Sequence, residues 1–286
     1  MNPARAQSAT AASDIPYTLA DFEAIARMAH AHAGICLPDS KAMLVYSRLS
    51  RLVRASGLAS FAGYVELIRH NSAERARVIE ALTTNHTKFF REIHHFDHFE
   101  RELRPAIVER LARGERVRLW SSASSSGEEI YSLAMVLLGT DRDEARQISR
   151  GDIALLATDL AQNVLNLAAE GCYPTDSASD IPDRYRDIWT EQRGGQIRML
   201  KPLRDLVRIK QLNLLDPWPI KARFDVIFCR NVLIYFDEAT KALLLRRLAD
   251  QLAPCGYLYI GHSERLVGDC ADQFRSMGQT IYRKEL

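Results

Sequence analysis

Four short stretches of this chain combine residue types that could bind and react with a small molecule, and each directly follows a run that reads as a β-strand. Ligands of open α/β sheets sit at the carboxyl ends of the strands, so chemistry is expected at these positions. The first stretch is Ser121-Ser122-Ala123-Ser124-Ser125-Ser126-Gly127-Glu128-Glu129, after Val117-Arg118-Leu119-Trp120. Its small residues let a ligand approach the backbone closely. A dinucleotide site would want a G-x-G-x-x-G turn to admit a pyrophosphate at a helix N-terminus. This loop has a single glycine, and Glu128 and Glu129 would repel that anion. The pattern points to a cationic or zwitterionic ligand. S-adenosylmethionine has that chemistry, with positive sulphonium and amino groups on an adenosine that needs a nucleoside pocket. An ordinary serine-rich loop with glutamates in the first turn of a helix would look the same.

The other three stretches extend that pocket. Asp159 follows Ile153 to Ala157, where an acidic side chain can accept from both hydroxyls of a ribose, although Asp after a strand is also a common helix N-cap. Asn213-Leu214 follows Val207 to Leu212 and could present backbone groups to an adenine edge, or serve as an ordinary turn. In Phe224-Asp225-Val226-Ile227-Phe228-Cys229-Arg230-Asn231-Val232-Leu233-Ile234-Tyr235-Phe236, polar Arg230 and Asn231 interrupt a buried run. Burying polar groups without partners is costly, so they should face a polar ligand or one another. Tyr235 follows about one helical turn later and can point back into the cleft.

Ahead of the first of these strands lies Leu82-Thr83-Thr84-Asn85-His86-Thr87-Lys88-Phe89-Phe90-Arg91-Glu92, a polar cluster at a domain junction, where ligand sites are favoured. Arg91 could clamp a carboxylate with its planar fork. A plain polar linker would need none of this chemistry. His94 and His98 are spaced i, i+4, as a helical metal pair would be, with Asp97 or a distant group as third ligand. Ligand sets of known spacing are absent, so no metal is expected.

The elements that must position these residues fall into two kinds. Thr18 with Asp21 reads as a capping box opening a helix over Phe22 to Ala29; further helices follow after Pro38-Asp39-Ser40 to about Gly57, over Phe61 to Arg69 and over Glu74 to Leu82. The second of these carries Leu44, Val45, Leu49, Leu52 and Val53 as an apolar stripe flanked by Arg48, Arg51 and Arg54. A charged helix over Pro105 to Arg113 then leads into the strand Val117 to Trp120. Strands over Ile153 to Ala157, Phe224 to Cys229 and Tyr257 to Ile260 alternate with helices over Tyr131 to Leu138 and Thr240 to Leu252, which argues for a doubly wound, mainly parallel sheet. Between about residues 172 and 207 the pattern breaks into Pro, Gly and charged residues, as an insertion would.

Composition restricts the partners. Lys+Arg of 38 against Asp+Glu of 36 gives a formal net charge of +2, too balanced to demand a nucleic acid or an anionic membrane. The start, Met1 to Ile15, lacks the basic and apolar regions of a signal peptide, and no run approaches the ~18 apolar residues of a membrane span. A cytoplasmic protein is expected. The five cysteines are scattered, with no CxxC, and read as reduced thiols.

Taken in order, these blocks resemble the CheR-type chemotaxis receptor methyltransferases over nearly the whole chain, from Tyr17 to Arg283. The residues that carry the resemblance are Leu82 to Asn85, Phe89 to Glu92, Ser126-Gly127-Glu128-Glu129 with Tyr131-Ser132, Thr158-Asp159, Asn213-Leu214-Leu215, Phe228 to Phe236 and Gly261-His262-Ser263-Glu264. The resemblance implies a Rossmann-like class I methyltransferase domain with a mainly parallel sheet, preceded by a small all-helical domain and carrying a small inserted antiparallel β-subdomain. The expected division is a disordered tail over 1–16, a helical domain over 17–82, a linker over 83–104 and the methyltransferase domain over 105–286, with the insert at about 172–207. By matching motif, Asn85, Thr87, Arg91, Glu128 or Glu129, Asp159, Asn213, Leu214, Arg230 and Asn231 would contact S-adenosylmethionine, held in the family between the two domains. Arg48, Arg51 and Arg54 occupy the place from which relatives contact the receptor's methylation region; a solvated helix face would read the same.

The implied reaction esterifies receptor glutamates and releases S-adenosylhomocysteine. A glutamate of pKa ~4.3 is already a carboxylate at neutral pH and needs no general base, only positioning. Arg91 and Tyr235 are expected to orient it. Some relatives dock on a receptor tail peptide through the β-subdomain; the loop Gln192-Arg193-Gly194-Gly195-Gln196 looks shorter here, which points to action without that peptide. The rival readings are a methyltransferase for another substrate, such as RNA or DNA, and a catalytically silent receptor-binding scaffold. A D/N-P-P-Y/F/W motif is missing beside the Phe224 to Cys229 strand, which argues against base methylation; a glycine-poor loop argues against an NAD enzyme.

Overall fold

The computed structural model describes residues 15–83 and 85–285. It divides into two compact units, one of residues 1–32 and 37–83 and the other of residues 33–36 and 84–286. Of the tail expected over 1–16, residues 1–14 lie outside the described residues. Ile15 and Pro16 do not behave as a tail: Ile15 is buried, its N–H bonds to the Tyr46 hydroxyl at 3.2 Å, and Pro16 O accepts from Phe61 N at 3.1 Å.

The first unit is helical: α1 (Leu19–Ala33), α2 (Ala42–Ala55), α3 (Phe61–His70) and α4 (Ser72–Leu82). The capping box forms as its residue types dictate, with Thr18 N donating to Asp21 Oδ2 at 2.8 Å and Asp21 N to Thr18 Oγ1 at 3.2 Å. Ser60 and Asn71 cap α3 and α4 one way, their side chains accepting from Gly63 N and Glu74 N. On α2, Val45, Leu49 and Val53 are buried, but Leu44, one position off their line, is exposed. Arg48 reaches the carbonyl of Leu82, the last residue of α4, satisfying one of that helix's orphan acceptors.

The second unit runs α5 (His94–His98), α6 (Arg104–Ala112), β1 (Val117–Ser121), α7 (Glu128–Leu138), α8 (Arg142–Arg150), β2 (Ile153–Asp159), α9 (Gln162–Glu170), β3 (Cys172–Pro174), α10 (Asp183–Trp189), β4 (Thr190–Arg193), β5 (Gln196–Met199), α11 (Lys201–Leu206), β6 (Val207–Gln211), β7 (Phe224–Cys229), α12 (Glu238–Gln251), β8 (Leu252–Ile260), β9 (Phe274–Gly278) and β10 (Ile281–Lys284). A seven-stranded sheet has the order β6-β2-β1-β7-β8-β10-β9, parallel from β6 to β8 and antiparallel at β10 and β9. Successive side chains of the central strands feed two cores, one on each face. Val226 and Phe228 join Leu119 and Tyr259 against α7, while Ile227 and Cys229 join Trp120 and Leu258 against α12. Central strands buried on both faces are apolar almost throughout, which is why β7 is legible from the run Val226 to Cys229.

The inserted segment forms the separate antiparallel sheet β3-β5-β4, together with the short helices α10 and α11. Its β4–β5 turn is Gly194-Gly195, with φ of 56° and 78°, a tight hairpin that needs left-handed backbone at both positions. Two expectations change. The stretch 83–104 is no free linker, since Phe89, Phe90, Phe96, Phe99 and Leu103 are buried in the core of the second unit, and a π-helical turn, Phe99–Leu103, joins α5 to α6. Strand β8 starts at Leu252 rather than Tyr257, immediately where α12 stops.

Candidate active site

Because β2, β1 and β7 are parallel neighbours, the loops after them emerge along one edge of the sheet and tie to one another. Ser122 N donates to Phe228 O and Ser124 N to Thr158 O, both at 2.8 Å. Ser125, at φ 49°, donates its N–H to Asp159 Oδ2 at 2.8 Å, and Asp159 Oδ1 accepts from Ala161 N at 3.0 Å. Asp159, the last residue of β2, is thereby fixed beside the first loop; the N-cap of α9 is Ala161. Gly127 has φ +96°, and a Cβ there would stand 2.8 Å from Ala168 Cβ, so the loop closes onto α9 only with glycine.

The two adjacent glutamates separate. Glu129 is buried with both oxygens engaged: Ser121 Oγ donates to Oε1 and Arg230 Nη1 to Oε2, each at 2.8 Å. Burial pushes its carboxyl up, against the lowering pull of Arg230 and Ser121. Glu128 is half-buried and accepts from Ser126 Oγ at 2.7 Å; burial pushes its carboxyl up as well. The Arg230 side chain is 1% exposed and also bonds to Arg91 O, with Glu92 Oε2 at 3.3 Å from Nη2. Burial pushes the Glu92 carboxyl up, but Arg230, His262 and Asn231 outweigh it and hold it at about 2.

Asn231 adopts φ 57° and donates its backbone N–H to Glu264 Oε2 at 3.0 Å, an oxygen that also accepts from Gly261 N at 2.6 Å. Its side-chain amide donates to Glu92 Oε1 at 3.3 Å. The half-buried Tyr235 closes a short 3-10 turn, Leu233–Tyr235, and its carbonyl accepts from Cys36 N at 2.8 Å. Asn85 O accepts from Ser125 Oγ at 3.0 Å, Arg91 Nη1 donates to His86 O at 3.0 Å, and Phe90 N donates to Ser132 Oγ at 2.9 Å, so residues 85–91 lie against the first loop and α7; Thr87 is half-buried. Asn213 Oδ1 accepts from Leu215 N at 3.1 Å, and Leu212 N donates to Asp159 O at 2.9 Å, which brings the buried Leu214 to the same edge.

Ser121, Glu92 and Glu264 were not singled out for a role in the sequence, although Glu92 and Glu264 lie in the blocks that carry the family resemblance. Their carboxylates are recognisable as site scaffolding only once Arg230 and the Asn231 N–H are seen to converge on them. On α5, His98 Nδ1 turns to the Tyr259 hydroxyl at 2.8 Å. Glu92, His94 and His95 instead offer atoms within 4.8 Å of one another, but Arg230 already supplies the counter-charge of that carboxylate. On α2, Arg51 and Arg54 are exposed while Arg48 is half-buried on its carbonyl partner.

The edge suits a cationic nucleoside. Ser124 Oγ is buried without a partner, the loop from Ser121 to Glu129 has no basic side chain, and Glu128 is under-solvated. Sequence comparison decides the family. The profile described as "CheR methyltransferase, SAM binding domain" matches residues 85–283, and "CheR methyltransferase, all-alpha domain" matches residues 20–83. This chain belongs to the CheR methyltransferase family. CheR relatives extend over nearly the full length. The chain is 41% identical to a "Probable chemotaxis protein methyltransferase" of Rhizobium etli, covering 90% of this chain and 96% of the relative. It is 40% identical to "Chemotaxis protein methyltransferase 2" of Pseudomonas aeruginosa, covering 93% of each. It is 38% identical to the "Chemotaxis protein methyltransferase" of Escherichia coli, covering 92% of this chain and 90% of that one. As in its family, the second unit of this CheR protein is a domain that binds S-adenosylmethionine.

Proposed function

We propose that the chain transfers a methyl group from S-adenosylmethionine to glutamate carboxylates of methyl-accepting chemotaxis receptors, giving glutamyl methyl esters. The observation that supports this reading is the pairing of Asp159 with the Ser125 N–H beside Glu128, two acidic groups whose chemistry suits a ribose and a cationic amino-acid end. The names of the relatives supply the pathway. When bound, S-adenosylmethionine supplies an electrophilic methyl group and a neutral thioether leaving group.

The protein's own residues then have distinct tasks. Asp159 accepts from the ribose; Glu128 faces the cationic end, since Glu129 is consumed by Arg230; Asn213 and Leu214 border the adenine; Asn85 and Thr87 line the approach. Arg230 and Asn231 act by holding the loop after β7, Arg230 through Glu129 and Asn231 through Glu264. Arg91 and Tyr235 orient the incoming carboxylate, Arg91 by a charge-assisted bond and Tyr235 by its hydroxyl. The nucleophile is ionised at neutral pH, so excluding water and fixing the line of attack are the enzyme's contribution. Arg51 and Arg54 offer an exposed basic edge to an acidic receptor helix. Among the described residues no helix is long and apolar enough to cross a membrane; the protein acts from the cytoplasm on the receptor's cytoplasmic helices.

Calorimetric titration with S-adenosylmethionine and S-adenosylhomocysteine, followed by assay of base-labile methyl esters on receptor fragments, tests this. Saturable binding lost in Asp159→Ala, together with ester formation, is expected. Binding without base-labile product on any receptor glutamate would move the reading to another substrate, and no binding at all would leave a scaffold.

A further inference from the structure

At the opposite edge of the large sheet lies a concave pocket of about 490 Å³, lined by Arg110, Arg116, Arg118, Lys221, Arg223 and Asp225 together with two alanines. β1 begins at Val117 beside Arg116, and β7 begins at Phe224 beside Arg223. The pocket and the candidate active site are therefore at opposite ends of the same two strands, ~15–20 Å apart for strands of this length.

Charge in this pocket is strongly one-sided. Its one carboxylate, Asp225, is consumed, with Oδ1 accepting from Arg110 Nη1 and Oδ2 from Arg118 N, both at 2.7 Å. Arg110 is held further by Glu115 Oε2 at 3.0 Å, and Arg118 by Asp152, so these two cations build the floor. Arg116, Lys221 and Arg223 have no carboxylate partner among the described residues. All three are exposed, so water screens their mutual repulsion, but together they give the hollow a positive potential that concentrates anions there. The volume is in the range of small-molecule sites, ~300–1,000 Å³. No aromatic side chain lines it, so recognition rests on charge rather than on stacking of a ring. Guanidinium forks match phosphate oxygens in geometry as well as charge.

We infer that this pocket is a second ligand site, which binds a phosphate-bearing anion of two or more negative charges, such as a diphosphate group. It is independent of the methyl-transfer reading, since it involves none of the residues at the carboxyl ends of the strands.

The test is calorimetric titration of the full chain with inorganic pyrophosphate at low ionic strength, in wild type and in Arg116→Ser/Lys221→Ser/Arg223→Ser. Arg110 and Arg118 are kept, because they hold Asp225 and Asp152. One saturable site is expected, weakened at least ~10-fold in the variant, whose melting temperature stays level or rises and whose affinity for S-adenosylhomocysteine is unchanged. Co-sedimentation with vesicles containing phosphatidylinositol phosphate, whose headgroup carries a phosphomonoester and more than two negative charges, separates the sources. Sedimentation that pyrophosphate competes away and the variant loses assigns the site to a lipid headgroup, and pyrophosphate binding without sedimentation assigns it to a soluble phosphate. The inference is overturned if pyrophosphate does not bind, if the variant binds it equally, if S-adenosylhomocysteine displaces it, or if sodium chloride of equal ionic strength gives the same heat.

Discussion

Arg230 Nη1 stands 2.8 Å from Glu129 Oε2, and this buried pair joins the end of β7 to the first turn of α7. Removing one partner of such a pair strands the other's charge, at a cost of ~3–5 kcal/mol, whereas replacing both by apolar groups is far milder. Arg230→Met alone should therefore lower unfolding free energy in urea by ~3 kcal/mol or more, and Arg230→Met with Glu129→Leu should cost clearly less than the two single losses added. Additivity within ~0.5 kcal/mol would mean that the pair contributes no coupling.

Acid should destabilise the fold through His95. Burial, reinforced by Arg230 and His94, lowers its pKa from 6.5 to about 3. The folded state thus binds fewer protons than the unfolded chain, so this contribution is complete above pH 6.5 and declines as pH falls towards 3. Burial pushes the Glu129 and Glu264 carboxyls up, which acts with the opposite sign at the acidic end of that window, so the informative quantity is a difference between variants. Relative to His95→Phe, wild type should lose ~1.4 kcal/mol more per pH unit between about pH 6 and 4.5, read from urea melts. Parallel pH profiles would mean that His95 titrates alike in both states.

Below about pH 4.5, Glu92 adds to the same trend, since its folded pKa of about 2 lies under the ordinary 4.5. Glu92→Gln should flatten that lowest limb while leaving the limb above pH 4.5 unchanged in slope.

Tyr235→Phe removes a hydroxyl and little else. If that hydroxyl orients the receptor carboxylate, turnover should fall ~10-fold or more, as loss of a hydrogen bond to a charged group does, while calorimetric affinity for S-adenosylmethionine changes less than ~2-fold. Equal losses in both would place Tyr235 in cofactor binding instead.

The three arginines of α2 should not behave alike. Arg51→Glu with Arg54→Glu should raise KM for receptor ~10-fold or more with kcat and melting temperature unchanged, and the effect should shrink at high salt. Arg48→Ala should instead lose ~1 kcal/mol of stability, because Arg48 satisfies the Leu82 carbonyl at the end of α4. A receptor KM unmoved by the double reversal would remove α2 as the docking face.

The Gly194-Gly195 turn closes the β4–β5 hairpin with two residues, and the proposal that the protein acts without a receptor tail rests on the shortness of that loop. Receptor fragments with and without their C-terminal tails should be methylated at matching rates; a large loss on truncation would show that the small sheet docks the tail after all.

The placement of Ser121 to Glu129, Asp159, Asn213 and Arg230 along one edge was readable from residue order alone, because an apolar run followed by small or polar residues is what a central parallel strand and its carboxyl-end loop require. The helical unit was equally legible, from its caps and its 3.6-residue period. What the sequence could not decide was partnership. Glu129 and Arg230 are 101 positions apart, and Glu92 is 139 from Asn231, so only the pairing of β1 with β7 shows which of the two adjacent glutamates is bound by Arg230. Residues 83–104 read as a linker because their aromatic side chains follow no clean period, and they become core only when α7 and the sheet offer a surface to cover. The spacing of His94 and His98 could not show what His98 touches; the fold gives it the hydroxyl of Tyr259, far along the chain. Local patterns set the elements and the edge at which the strand-end loops gather; long-range packing, which no local pattern encodes, assigned each charge its partner.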